Sequence, residues 1–156
     1  MSLDTALRIR LDRVTARLKA RGYRLTPQRL AILRALIGSD QHPSVEQIYR
    51  QVRRDFPTTS LATVYNTLEC LKGLGEVLEL PLGGGSRYDG RKPESHPHIV
   101  CTACSRIEDL DIDLAGAAQA VAQEQGYTEV RHRLEFYGIC PACQEGSEIG
   151  REIRGR

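Results

Sequence analysis

Two Cys-x-x-Cys pairs, Cys101/Cys104 and Cys140/Cys143, carry the strongest chemical signal in this chain. Matched pairs at this spacing are a metal-binding pattern. Four thiolates close a tetrahedral zinc site and leave no position open for a substrate, so the expected role is structural. The fifth cysteine, Cys70, stands apart and reads as a small buried hydrophobe on the apolar side of a helix.

A second constellation uses harder donors. His96-Pro-His98 lies just before the first cysteine pair, and alternation in an extended segment puts both rings on one side. Asp109 follows Cys104, Asp89 precedes the histidines, and His42 lies farther upstream. Three imidazoles and two carboxylates suit Fe(II), Mn(II) or Zn(II). The same residue types also occur as ordinary surface groups near loops, and spacing alone does not decide between the two.

The third feature is Ser60-Leu-Ala-Thr-Val-Tyr-Asn-Thr67. A helix that starts on small polar residues and presents Thr63, Tyr65 and Asn66 outward can enter a major groove. There Asn pairs with adenine, and aromatic or methyl groups meet thymine methyls. An ordinary amphipathic helix fits the pattern equally well.

The elements that must position these residues follow from periodicity and caps. Residues 4–20 place Leu7, Leu11, Val14 and Leu18 at helical spacing, ending near Gly22. Thr26 as N-cap with Pro27 at the first position opens a second helix, which Gly38 closes. Ser44 with Gln47 forms a capping box for a third helix over 45–55, stopped by Pro57. A fourth begins after Ser60, buries Leu61, Val64, Leu68 and Leu71, and ends near Gly73–Gly75. Residues 76–81 and 86–89 read as strands around Gly83-Gly84-Gly85, a hairpin signal. Helices capped by a hairpin outline a winged helix-turn-helix.

Beyond a linker at 90–95, segments 98–101 and 105–110 read as strands flanking the first cysteine pair. Residues 113–125 read as a helix stopped by Gly126, and 129–139 as a strand leading into the second pair. The fold class is therefore α+β: a winged helix-turn-helix domain over 1–89, then a small α/β domain over 96–143 built on a structural zinc site. Residues 144–156 read as a polar tail. The second domain is small enough to need zinc, a partner subunit or both.

Composition agrees with this division. The chain has 156 residues, 40% hydrophobic and 27% charged, with net charge +2. Residues 1–89 carry 14 Lys/Arg against 9 Asp/Glu, and residues 90–156 carry 8 against 11. The excess is steepest in residues 1–57, at 12 against 5, which points to a polyanion as partner for the first half. No apolar run of about eighteen residues crosses a membrane, and Arg8, Arg10, Asp12 and Arg13 interrupt any signal peptide. A cytoplasmic location is the default expectation, and there five cysteines argue against a disulfide framework.

From about residue 10 to 143 the sequence resembles the ferric uptake regulator family. The resemblance rests on Gly22-Tyr-Arg-Leu-Thr-Pro-Gln-Arg29, His42-Pro-Ser, Ala62-Thr-Val-Tyr65, Ser86-Arg-Tyr-Asp89, His96-x-His98-x-x-Cys101-x-x-Cys104 and Tyr137-Gly-Ile-Cys140-x-x-Cys143. It implies a dimerisation role for the second domain and a homodimer acting on double-stranded DNA at AT-rich inverted repeats. Tyr65 and Asn66 would face the major groove, and Arg24 would reach a narrow minor groove. It also implies that His42, Asp89, His96, His98 and Asp109 form a sensing site for Fe(II) or Mn(II), distinct from the structural Zn(II) site. With ligands from both domains, metal selects the DNA-competent conformation; a full switch needs roughly 10⁴-fold preferential binding.

Within the family, Asp109 and Asn66 are similar to the peroxide-sensing branch, where iron-sensing members carry Glu and commonly Arg. That branch implies that peroxide oxidises His42 or His96 when iron is bound. Iron or zinc uptake repressors are the alternative reading. A further family metal site lacks its ligands here, because Ser95, Pro97 and Gly116 stand at their places; His132 is then a strand histidine without metal. An enzyme is not expected. A zinc hydrolase needs an open coordination position and a general base, and neither a His-Glu-x-x-His nor a His-x-Glu signature is present. A zinc-dependent interaction module without DNA binding conflicts with the basic first half.

Overall fold

The structure is a computed structural model that describes residues 3–146. The chain divides into two compact units, Met1–Glu94 and Ser95–Arg156.

The first unit runs α1 (Leu3–Ala20), α2 (Pro27–Gly38), α3 (Val45–Asp55), α4 (Leu61–Gly73), β1 (Leu78–Leu82) and β2 (Gly85–Asp89). Three helices start on side-chain caps. Thr26 Oγ1 accepts from the Arg29 N–H at 3.2 Å and Ser60 Oγ from the Thr63 N–H at 3.1 Å, and Ser44 and Gln47 close a reciprocal capping box. The apolar stripes of the four helices meet in one core. Val14 and Leu18, Ile32, Leu33 and Leu36, Ile48 and Val52, and Val64, Leu68 and Leu71 are almost fully buried there.

The end of α4 determines where the hairpin starts. Gly75 adopts a left-handed φ of 65°, its N–H bonds the Lys72 carbonyl, and the Glu76 N–H bonds the Leu71 carbonyl. This Schellman arrangement turns the chain and leaves Glu76 buried at the foot of the hairpin. β1 and β2 then pair antiparallel from Leu78↔Asp89 to Leu82↔Gly85, closing a two-residue Gly83-Gly84 loop. A bridge from Ser44 to Arg87 and a bond from the Tyr88 N–H to the Pro43 carbonyl hold this wing to the start of α3.

The second unit contains β3 (His98–Cys101), β4 (Ile107–Asp109), α5 (Ala115–Gln125), β5 (Glu135–Gly138) and α6 (Pro141–Gly146). Its sheet has the order β4-β3-β5, with β3 antiparallel to β4 and parallel to β5. Gly126, at φ 70°, ends α5. Few apolar side chains are buried among the described residues of this unit: Val100, Cys101 and Ile107. Ile99, Val121, Tyr127, Phe136, Tyr137 and Ile139 are exposed. Such a core is too thin to hold a fold by apolar burial alone.

Several expectations need correction. Leu61 is 39% exposed because the first turn of α4 projects past the core. The strand expected over 129–139 is only Glu135–Gly138; Glu129 has φ 55°, and β3 offers just four residues to pair with. His132 therefore lies in irregular chain and not in a strand. The strand expected over 105–110 is Ile107–Asp109, and that over 76–81 begins at Leu78. Residues 144–146 belong to α6, while 147–156 of the expected tail lie outside the described residues. No described helix is long and apolar enough to cross a membrane.

Candidate metal centres and nucleic-acid interface

Cys101 ends β3, Cys104 lies in the turn before β4, Cys140 follows β5 and Cys143 lies in α6. The parallel pairing of β3 with β5 sets Cys101 opposite Gly138, two residues before Cys140. All four sulfurs lie within 4.8 Å of one another, and Cys104 Sγ stands 3.8 Å from Cys140 Sγ. A tetrahedron with Zn–S bonds of about 2.3 Å has edges of about 3.8 Å, so the cage fits zinc. The Cys140 N–H donates to Cys101 Sγ at 3.3 Å. That bond, with the N–H groups of Cys104 and Ala103, brings the Cys101 thiol down to about 6. Cys143 is pushed up to about 12, first by its hydrogen bond with Cys140 and then by Cys104 and Cys101. Four crowded thiols do not ionise together by themselves, and a bound dication removes that obstacle.

The hard donors form a pair in the first unit and a trio in the second. His42 sits between α2 and α3 at φ 47°, a left-handed conformation that histidine tolerates better than most residues. Its Nε2 lies 3.5 Å from Asp89 Oδ2. The other Asp89 oxygen accepts the N–H groups of Arg91 at 2.7 Å and Lys92 at 3.0 Å, which fixes the carboxylate. Burial alone would raise the Asp89 carboxyl. His42 and the two N–H donors outweigh it, and the group lies below the ordinary aspartate value. Arg87 holds the backbone on the histidine side, with Nε donating to the His42 carbonyl and Nη2 to that of Gln41.

In the second unit, His98 and Asp109 are register partners across β3 and β4. Asp109 Oδ1 lies 3.6 Å from His98 Nε2 and 3.2 Å from His96 Nε2, and the two rings are 4.2 Å apart. The Ser95 hydroxyl donates to the His132 carbonyl at 3.1 Å. Among the described residues, His132 joins neither the pair, the trio nor the cysteine cage.

The candidate DNA surface lies on the first unit. Tyr65, 43% exposed, and Asn66 project from the second turn of α4 while Val64, Thr67 and Leu68 are buried. Ser60 and Thr63 engage each other: their hydroxyls are 2.8 Å apart in the cap. Arg24, exposed before α2, accepts at its carbonyl from Arg29 Nη1 at 2.6 Å, and its own guanidinium is left to the surface.

The ferric uptake regulator family matches residues 20–137, about three quarters of the chain. The chain belongs to the ferric uptake regulator family. It is 40% identical over 136 residues to the peroxide-responsive repressor PerR of Staphylococcus aureus, covering 86% of this chain and 92% of that one. It is similar to the Helicobacter pylori ferric uptake regulator Fur, a protein with three functional metal-binding sites (TM-score 0.74, 28% identity, 91% of this chain and 95% of the other). It is also similar to Streptococcus pyogenes PerR, a structure concerned with peroxide sensing and gene regulation (TM-score 0.50, 37% identity, 85% and 92%). By family this protein is a metal-responsive repressor, and the family is one of transcriptional regulators rather than enzymes.

One group of buried charges is not visible from local sequence patterns. Arg10 of α1, ahead of the family-matched span, is only 8% exposed, and Glu76 is 2% exposed. The two form an ion pair, which Arg17 joins from the solvent side. An arginine beside the apolar stripe of α1 and an acid directly after Gly75 are the local hints, but nothing in either stretch names the other as partner.

Proposed function

We propose that this protein is a metal-dependent, DNA-binding repressor that senses peroxide through oxidation of its own histidine ligands. The observation that carries the reading is the trio of His96, His98 and Asp109 at the start of β3 and the end of β4, two imidazole nitrogens within 3.6 Å of one carboxylate oxygen. That donor set suits Fe(II) or Mn(II), whereas the four sulfurs suit zinc. The 40% sequence identity to a peroxide-responsive repressor supports the peroxide branch.

In this reading Cys101, Cys104, Cys140 and Cys143 hold Zn(II), which stabilises the thin core of the second unit. His42 and Asp89 supply two donors and His96, His98 and Asp109 three. Neither set alone fills an octahedral shell, and a single ion taking both ties the DNA-binding unit to the dimerisation unit. Bound Fe(II) supplies one-electron chemistry toward peroxide, which Mn(II) does not readily provide. His42 and His96 are the ligands proposed to gain oxygen, and an oxidised imidazole no longer holds the metal, so the tie opens. Tyr65 and Asn66, with the cap hydroxyls of Ser60 and Thr63, face the major groove of an AT-rich inverted repeat. Arg24 enters the adjacent minor groove, and the protein acts as a homodimer in the cytoplasm.

The test is DNA binding with and without peroxide. Fe(II) and Mn(II) forms should both bind a selected duplex, with affinity falling steeply as salt rises. Peroxide should release DNA from the Fe(II) form alone. Retention of DNA by both forms, with metal-dependent binding intact, would support the iron-uptake alternative.

A further inference from the structure

The Arg10 side chain reaches both ends of the wing at once. Its Nη1 pairs with a Glu76 carboxylate oxygen, Nη2 donates to the Glu76 carbonyl at 2.8 Å, and Nε donates to the Gly90 carbonyl at 3.1 Å. Glu76 lies two residues before β1, and Gly90 directly follows β2. The register pair between them, Leu78↔Asp89, is the foot of the hairpin. Gly90 is pressed against α2 as well: a Cβ there would lie 2.6 Å from Leu36 Cγ. Three nitrogens of one planar group thus bond three acceptors on the two chain segments that enter and leave the wing.

We propose that Arg10 is a positioning residue for DNA binding, a buckle by which α1 fixes the angle of the β1–β2 wing against α4. The inference rests on the DNA-binding reading above and adds to it a role for a helix that mostly precedes the family-matched span. Other contacts keep the wing folded without Arg10: the Ser44↔Arg87 bridge, the Tyr88 N–H bond to Pro43, and the Lys72–Glu79 ion pair. Those anchors grip the strands, and Arg17 and Arg91 each hold one end, through Glu76 and through the Ile37 and Gly38 carbonyls. Arg10 spans both ends, so its loss loosens orientation rather than pairing. Lysine cannot replace it, because one ammonium nitrogen cannot span acceptors arranged for a guanidinium fork. Two of the three acceptors are backbone carbonyls, so an apolar pair at 10 and 76 can refill the space without restoring the grip.

The experiment compares full-length, metal-loaded wild type with Arg10→Lys and with the Arg10→Met/Glu76→Leu double variant. Three quantities are read: melting temperature, amide exchange over 78–89, and binding to a duplex selected from a random pool by the wild type. The double variant keeps the space filled with an apolar pair, and its melting temperature shows that the unit stays folded although the Glu76 and Gly90 carbonyls lose the guanidinium. Both variants should exchange wing amides about ten-fold faster than wild type and bind the duplex about ten-fold more weakly, within the range for residues acting at a distance. Exchange of α2 and α3 should not change. Wild-type wing exchange in Arg10→Lys, or wild-type DNA affinity in both variants, would overturn the proposal. If the wild type selects no duplex, the DNA-binding reading fails, while amide exchange still decides whether Arg10 holds the wing.

Discussion

His98 and Asp109 are cross-strand partners, and the β3–β4 register brings His98 Nε2 to 3.6 Å from Asp109 Oδ1. His98 is almost fully buried and Asp109 partly so, which places a carboxylate against two imidazoles at a sheet edge. Asp109→Asn preserves shape and removes the charge. Mn(II) affinity, read by competition with a fluorescent chelator, should fall at least by the roughly 10- to 100-fold that changes one shell farther out already cause. Wild-type affinity would remove Asp109 from the ligand set.

Much of this arrangement is legible because it depends on residue type at short offsets. Thr26, Ser44 and Ser60 mark helix starts through side-chain oxygens that reach N–H groups three residues on. The cysteine pairs declare themselves by spacing, and the histidines by alternation. Features set by partners far along the chain are not legible. The alternating residues 130–134 stay irregular because the ladder to β5 ends at His98. Arg10 and Glu76 are 66 residues apart in sequence, and only the folded chain shows that each neutralises the other.

The cysteine cage gives the second prediction. Cys101→Ser and Cys140→Ser should each abolish zinc retention and unfold the second unit, because the few buried apolar residues cannot replace the metal. Metal analysis and circular dichroism report the two losses. A zinc-loaded, stably folded Cys140→Ser protein would contradict the structural role.

Gly90→Ala should destabilise the first unit without touching any ligand. The added Cβ meets Leu36 Cγ at 2.6 Å, and Leu36 is buried in the core. Overpacking of this kind costs about 1–3 kcal/mol, measurable by urea unfolding. An unchanged midpoint would mean that Leu36 moves aside freely.

On the DNA surface, Tyr65→Ala should weaken binding to the selected duplex by about 1–3 kcal/mol, the scale of a base contact, and leave random DNA little affected. Arg24→Ala should lower the salt slope by roughly one unit and reduce the preference for AT-rich flanks. Fluorescence anisotropy across a salt series separates the two effects. Equal losses on both DNAs for Tyr65→Ala would assign it a nonspecific role.

The account turns on His42 and His96 as the groups that register peroxide. Peptide mass spectrometry of the Fe(II) protein after dilute peroxide, beside the Mn(II) form, tests this most directly. The expected result is one added oxygen on His42 or His96 in the Fe(II) sample, accompanied by loss of DNA binding, with both residues unmodified in the Mn(II) sample. Unmodified histidines in the Fe(II) sample, with DNA still bound, would contradict it.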